Sequence, residues 1–135
     1  MFLQGRGVSI LLVCLLLGGC GPRGLPEPKR VLVSGTVTLD GKPLSDGIVY
    51  FKTPEEGLVD GVEIKEGKFE GKAATGERRV EICQFREGPP YIDMGFGKMP
   101  TKSNTIPKRY NSDSTFTVTV TDRGPNEFTF EVKSN

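Results

Sequence analysis

The stretch VSGTVTLDGKPLSDGIVYFKTP, residues 33–54, decides the fold. From Arg30 the chain alternates with period two. Val31, Val33, Gly35, Val37 and Leu39 fall on one face, and Ser34, Thr36 and Thr38 on the other. That pattern is a half-buried strand. Asp40-Gly41-Lys42-Pro43 then supplies turn residues, and Ser45-Asp46-Gly47 leads into Ile48 to Thr53. There Val49 and Phe51 point one way and Ile48 and Tyr50 the other, which predicts a strand covered on both faces.

Outward from this stretch the alternation recurs. Val62 and Ile64 begin a third strand, Glu66-Gly67 makes a tight turn, and Lys68 to Gly71 returns with Phe69 inward as a hairpin. After Thr75-Gly76, Val80 and Ile82 share a face with Arg78, opposite Arg79, Glu81 and Cys83, so Cys83 faces away from the main core. Phe116, Val118 and Val120 alternate with threonines at 115, 117, 119 and 121. Beyond Asp122-Arg123-Gly124-Pro125, Phe128, Phe130 and Val132 alternate with Glu127, Thr129, Glu131 and Lys133. Inward β-branched and aromatic residues with Thr or charge outside suit a half-wet pleated surface. No stretch after the first twenty residues has a helical period. The fold class is all-β, a single antiparallel β-sandwich of about seven strands over residues 30–135.

VSGTVTLDGKPLSDGIVYFKTP followed by KEGKFEGKAATGERRVEI resembles the carboxypeptidase regulatory-like domain, a transthyretin-like (prealbumin-like) sandwich. Gly35 and Val37 match its first strand, and Asp40, Gly41, Pro43 and Leu44 its turn. Gly47, Val49 and Phe51 match the second strand, Gly67 and Phe69 the hairpin turn, and Gly76, Val80 and Ile82 the next strand. Arg78 stands where that family usually has an aromatic. The chain is also similar to small planctomycete-type bacterial lipoproteins that join this domain to a lipobox and end in an IPKRY segment before two strands. Ile106, Pro107, Lys108, Arg109 and Tyr110 occupy that place. The resemblance implies a binding, spacing or stabilising module. It implies no peptidase activity, because the catalytic machinery of those enzymes lies in a separate domain. Motifs of this kind specify fold and leave function open.

The N-terminus carries an address. Val8 to Leu17 is apolar except for Ser9, preceded by the single cation Arg6. A membrane span needs about 20 apolar residues, whereas a signal-peptide core needs about 7 to 15. Leu17, Gly18, Gly19 and Cys20 resemble the lipobox of bacterial lipoproteins. The resemblance implies a signal peptide over 1–19, diacylglyceryl modification of Cys20, and a membrane anchor in the cell envelope outside the cytoplasm. Residues 20–29 then form the lipidated cysteine and a tether, since Gly21 to Lys29 contains three prolines and two glycines. Such linkers extend at about 3.1 Å per residue.

Charge and composition exclude several function classes. Loss of Arg6 with the signal leaves 17 cations against 17 acids, which offers no electrostatic case for nucleic acid. Three cysteines occur; Cys14 leaves with the signal and Cys20 takes the lipid, so Cys83 has no intramolecular disulfide partner and reads as a small filler or as a reactive thiol. The chain has no histidine, so it holds neither a Ser-His or Cys-His pair nor an imidazole ligand. No catalytic residue, metal ligand or cofactor is assigned. Glu55, Glu56, Asp60, Glu63 and Glu66 read as solvated charge on loops and outer strand faces. Asn111-x-Asp113 lacks the remaining ligands and glycine of a calcium loop.

Residues 86–114 form the longest segment without clear alternation and read as a long loop. Tyr91, Phe96 and Tyr110 stand there among Arg86, Lys98, Lys102, Lys108 and Arg109. Aromatics beside cations can grip a sugar face or an anionic polymer, which makes Tyr91, Phe96, Lys108, Arg109 and Tyr110 the candidate ligand-binding residues. Ile106 and Tyr110 can equally pin the loop to the sandwich. Two readings stand: a non-catalytic lipid-anchored envelope protein with a structural or protein-interaction role, and an envelope glycan- or ligand-binding module that uses this loop.

Overall fold

The computed structural model describes residues 21, 24, 26–93 and 95–135. Cys20 and the expected signal peptide over 1–19 lie outside the described residues. The fold is all-β, its helical content among the described residues being the 3₁₀ turns Pro54–Glu56 and Lys108–Tyr110. The strands are β1 (Arg30–Leu39), β2 (Lys42–Pro43), β3 (Asp46–Thr53), β4 (Leu58–Lys65), β5 (Lys68–Ala74), β6 (Gly76–Cys83), β7 (Phe85–Asp93), β8 (Lys98–Asn104), β9 (Thr117–Val120) and β10 (Glu127–Val132). One sheet runs β10-β1-β5-β4-β3-β6-β9 with β2 beside β1, and β7 and β8 form a separate ribbon. Neighbours are antiparallel except β10, which lies parallel to β1 with Gly35 opposite Phe128 and Val37 opposite Phe130.

Turn chemistry sets the registers. Leu39 pairs with Lys42 across Asp40-Gly41, and Lys65 with Lys68 across Glu66-Gly67. All four turn residues have positive φ, 52° and 81° in the first turn and 49° and 77° in the second. That is the two-residue turn whose twist matches its flanking strands.

The sheet curls around its own apolar face. Phe51 on β3 lies 6.1 Å from Phe128 on β10, although β4, β5 and β1 separate those strands in the sheet. At the two edges, Phe116 stacks on Phe130 at 5.8 Å, so side chains rather than ladder hydrogen bonds bring β9 and β10 together. Val33, Val37, Val49, Phe51, Ile64, Val80 and Ile82 are buried inside. Ile48 and Tyr50 are only half-buried, so β3 is fully covered on its Val49/Phe51 face alone. Gly35 faces this core without space for a side chain: an added Cβ falls 1.8 Å from the Phe128 carbonyl oxygen and 2.8 Å from the Phe69 ring.

One inward position on β4 departs from the sequence reading. Asp60 is buried, not solvated, because the Val62/Ile64 alternation extends back to it and places it opposite Phe51. Its Oδ1 accepts from Arg30 Nε at 2.7 Å, and its Oδ2 accepts from Arg78 Nη2 at 2.8 Å and the Ala74 amide at 2.9 Å. Arg78 is fully buried and also donates to the Phe51 carbonyl at 2.6 Å. Glu55, Glu56, Glu63 and Glu66 are exposed as expected. Burial alone would raise the Asp60 pKa; the Arg30 and Ala74 hydrogen bonds and the two guanidinium charges outweigh it and hold the carboxyl below its ordinary value.

A folded-state pKa below the unfolded one stabilises the fold above the unfolded value of about 3.9, and that contribution disappears as pH falls through the folded value. Asp60→Asn leaves Arg78 buried without its carboxylate and is expected to cost about 3–5 kcal/mol at neutral pH. Urea unfolding followed from pH 7 to below pH 4 checks both, with a shallower acid decline in the variant. Some decline persists through Asp40 and Asp46, whose pKa values are also lowered. Gly35→Ala forces β1 and β10 apart and is expected to cost at least about 1–3 kcal/mol, read as a lower urea midpoint.

Candidate functional site

The segment 86–114 is not one loop. Its first part joins Phe85 in the β7–β8 ribbon, which Gly88, Pro89 and Pro90 interrupt: Gly88 pairs with Thr101 and Tyr91 with Pro100, so β7 bulges between them. The prolines and glycines that break the alternation in sequence are therefore the bulge itself. At the tip, the Asp93 carboxylate accepts the Gly95 amide at 2.9 Å, and Gly95 and Gly97 take positive φ of 80° and 114°.

The root is firmly held. Gln84 is buried; its amide nitrogen donates to the Asp46 carbonyl at 3.1 Å and its side-chain oxygen accepts from the Thr105 hydroxyl at 2.7 Å. Asn104 Oδ1 accepts the backbone amides of Gln84 and Ile106 at 3.1 and 3.0 Å. Arg86 grips Asp46 through both terminal nitrogens at 2.8 and 2.6 Å. That contact, with help from Ser45, holds the Asp46 carboxyl well below the usual carboxylate range. Beyond Arg86 the two strands pair only with each other among the described residues, as an arm.

Register sorts the arm's side chains. One face carries Phe85 with Asn104, Glu87 with Lys102, Tyr91 with Pro100, and Asp93 with Lys98; the other carries Arg86 with Ser103, Gly88 with Thr101, and Ile92 with Met99. Phe96 stands at the tip, 98% exposed, and Phe85, Tyr91, Ile92 and Met99 are each about half exposed. Glu87 and Lys102 form an exposed ion pair at 3.7 Å. The arm therefore shows apolar groups on both faces near its end.

The five candidate ligand-binding residues divide into two places. Tyr91 and Phe96 are on the arm, while Lys108, Arg109 and Tyr110 form a 3₁₀ turn against the body. Tyr110 packs 5.6 Å from Phe116, and its hydroxyl accepts the Lys133 amide at 3.2 Å. Arg109 donates to the Lys133 carbonyl at 2.8 Å and lies 4.8 Å from the Tyr110 ring centroid. Ile106 is buried in the core, and the Asn111 amide nitrogen donates to the Ile106 and Pro107 carbonyls at 2.9 Å each. The segment after Asn104 is thus pinned to the sheet, as the Ile106/Tyr110 alternative expects. Among the described residues, no three His, Cys, Asp or Glu side chains gather as a metal site.

Phe85, Ile92 and Met99 belong to the arm surface and were not singled out from sequence. Their signal is Tyr91-Ile92 facing Met99-Pro100 across a glycine-rich turn, hidden by the Pro-Pro bulge. Cys83 shares the outer face with Ile48, away from the main core as expected, and is nevertheless buried. It borders a groove of about 440 Å³ at the arm's root, lined by Asp46, Gly47, Ile48, Gly61, Glu63 and Phe85. Burial raises the thiol pKa, against a hydrogen bond to Asn104.

The arm and the chain's approach to the sheet lie at opposite ends. Arg30 opens β1 opposite Ala74, next to Gly76 where β6 starts; β6 ends at Cys83 opposite Ile48, where the arm begins. Eight strand residues at about 3.3 Å each separate the ends by about 26 Å. No protein-family model, curated protein or solved structure matches the chain.

The Cys83 thiol is expected to react with a maleimide at pH 7 at least about tenfold more slowly in the folded protein than in urea. Equal rates in the two conditions would show an open thiol.

Proposed function

We propose that the chain is a lipid-anchored, non-catalytic protein of the bacterial cell envelope with a structural or protein-interaction role. Its curled sheet is read as a transthyretin-like, carboxypeptidase regulatory-like domain. The observation that carries the interaction role is the arm: a ribbon with exposed apolar side chains on both faces near its end, rooted at the end of the sheet away from Arg30. Exposed apolar groups gathered on one projection mark a contact surface. The lipobox-like Leu17 to Cys20 supports the anchor. Two or more acyl chains hold a protein stably on a membrane where one does so only marginally. Nine tether residues at about 3.1 Å each lift the domain by up to about 28 Å. The lack of any histidine supports the non-catalytic reading.

The glycan-binding alternative draws on the exposure of Tyr91 and Phe96. It would assign the arm to a sugar face and leave Lys108, Arg109 and Tyr110 to hold the turn.

Mass analysis of the mature protein from a bacterial host tests the anchor. An N-terminus at Cys20 with a diacylglyceryl adduct and recovery with membranes is expected, and Cys20→Ser is expected to lose the adduct. An unmodified Cys20 on a chain found in the aqueous fraction overturns the reading.

A further inference from the structure

We propose that the open seam between β9 and β10 is a peptide-binding groove, which takes an extended segment of a partner protein as an added strand with apolar and basic residues in alternation. The proposal goes beyond the arm and needs neither the arm nor the anchor. It stands on backbone groups that the curled sheet leaves unpaired.

β9 and β10 are the two ends of the sheet, and the curl brings them side by side without a ladder. Almost all their Cα atoms lie more than 8 Å apart. Laddered strands lie about 4.8 Å apart, so one more strand needs roughly 9.6 Å between its neighbours. Asn126 holds the seam open at one end. Its side-chain amide stands where a strand would, accepting from the Thr121 amide at 2.8 Å and donating to the Thr121 carbonyl at 2.9 Å. At the other end Tyr110 packs on Phe116, and its hydroxyl accepts the Lys133 amide at 3.2 Å.

Between these two caps the edges are bare. The Val80 amide donates to the Phe116 carbonyl at 2.8 Å, so Phe116, Val118 and Val120 turn their backbone groups to β6, and Thr117 and Thr119 turn theirs to the seam. The Ser34 and Asp40 amides donate to the Asn126 and Val132 carbonyls at 2.9 and 2.8 Å. The even residues of β10 therefore bond β1, and Glu127, Thr129 and Glu131 face the seam. Two rows of unpaired donors and acceptors thus look at each other across the gap, which is a template for an incoming strand.

The side chains define the chemistry of the occupant. The groove has a volume of about 540 Å³ and is lined by Phe116, Thr117, Val118, Thr129, Phe130 and Glu131. Phe116, Val118 and Phe128 face inward yet are only half-buried, whereas Val37, Val49, Ile64 and Val80 on the inner strands are fully covered. Apolar residues at alternate positions of an added strand would cover them. The outer rim asks for cations: Glu127 and Glu131 are exposed and make no ion pair among the described residues, while Arg79 beside β9 is held by Glu81. A second copy is a poorer occupant. It would offer β10, setting glutamates against glutamates, or the proline-interrupted arm.

The test is amide-resolved hydrogen exchange on a soluble chain beginning at Gly21, which keeps the whole core from Val31 to Val132, titrated with a blocked heptapeptide of alternating Lys and Val. In the free chain the amides of Thr117, Thr119, Thr129 and Glu131 are expected to exchange at least about a hundredfold faster than those of Phe130 and Val132, which turn to β1. The peptide binds with Kd of about 20 to 500 µM and slows those four amides. Joint Glu127→Lys and Glu131→Lys substitution, at exposed positions, leaves thermal melting unchanged and weakens binding at least about tenfold. A peptide of the same composition, with its lysines and valines in separate blocks, binds at least about tenfold more weakly to the wild-type chain. Slow exchange of the four amides in the free chain shows a seam closed by its own ladder and overturns the proposal. So does absence of binding at about 1 mM peptide, equal binding of the block peptide, protection that appears on the β7–β8 arm instead, or a second copy found in the seam. The readout involves neither Cys20 nor Phe96, so the anchor and the arm can fail or stand apart from it.

Discussion

Asp60 gathers more of this fold than any single apolar contact does. Its two oxygens take donors from β1, β5 and β6, and the guanidinium it holds also reaches a β3 carbonyl. A curled sheet whose edges share no backbone ladder needs side chains to fix its curvature, and this carboxylate fixes it where β1 begins. The arrangement is costly if incomplete. Arg78 keeps Nε and Nη1 buried without a protein acceptor, so its one carboxylate partner cannot be lost lightly. The aromatic cluster of Phe51, Phe69, Phe116, Phe128 and Phe130 does the complementary work at the open seam.

Much of the sheet was legible in the sequence because its strands are wet on one face. Val33 to Leu39, Thr117 to Val120 and Glu127 to Val132 alternate cleanly, and the Asp-Gly and Glu-Gly pairs mark turns that need positive φ. Alternation already sets Arg78 on the Val80/Ile82 face, and the same rule carried two residues back from Val62 on β4 sets Asp60 on that inward face too. An acid ahead of Val62 nonetheless reads as the solvated start of a strand, because sequence alone does not show the cation that pairs with it. The parallel alignment of β10 with β1 has no local signal at all. It follows from long-range packing, since strands at the two ends of the domain share no turn.

The candidate site was legible only in part. Composition picked out 86–114, but aromatics beside cations say nothing of which are free and which are engaged. Packing makes that division. Tyr110 and Arg109 are committed to Phe116 and the C-terminal segment, whereas Tyr91 and Phe96 stand clear of the body. The Pro-Pro bulge concealed the ribbon by breaking the alternation that would have revealed Ile92 and Met99.

The position of β1 between β5 and β10 has a mechanical consequence. A pull applied between Arg30 and the distal ribbon enters β1 at one end of the sheet and leaves β6 at the other. The load then runs along the strands and strains the flanking ladders in shear, so that many bonds must yield together instead of parting one by one. A domain loaded in this way resists tension applied between its two ends.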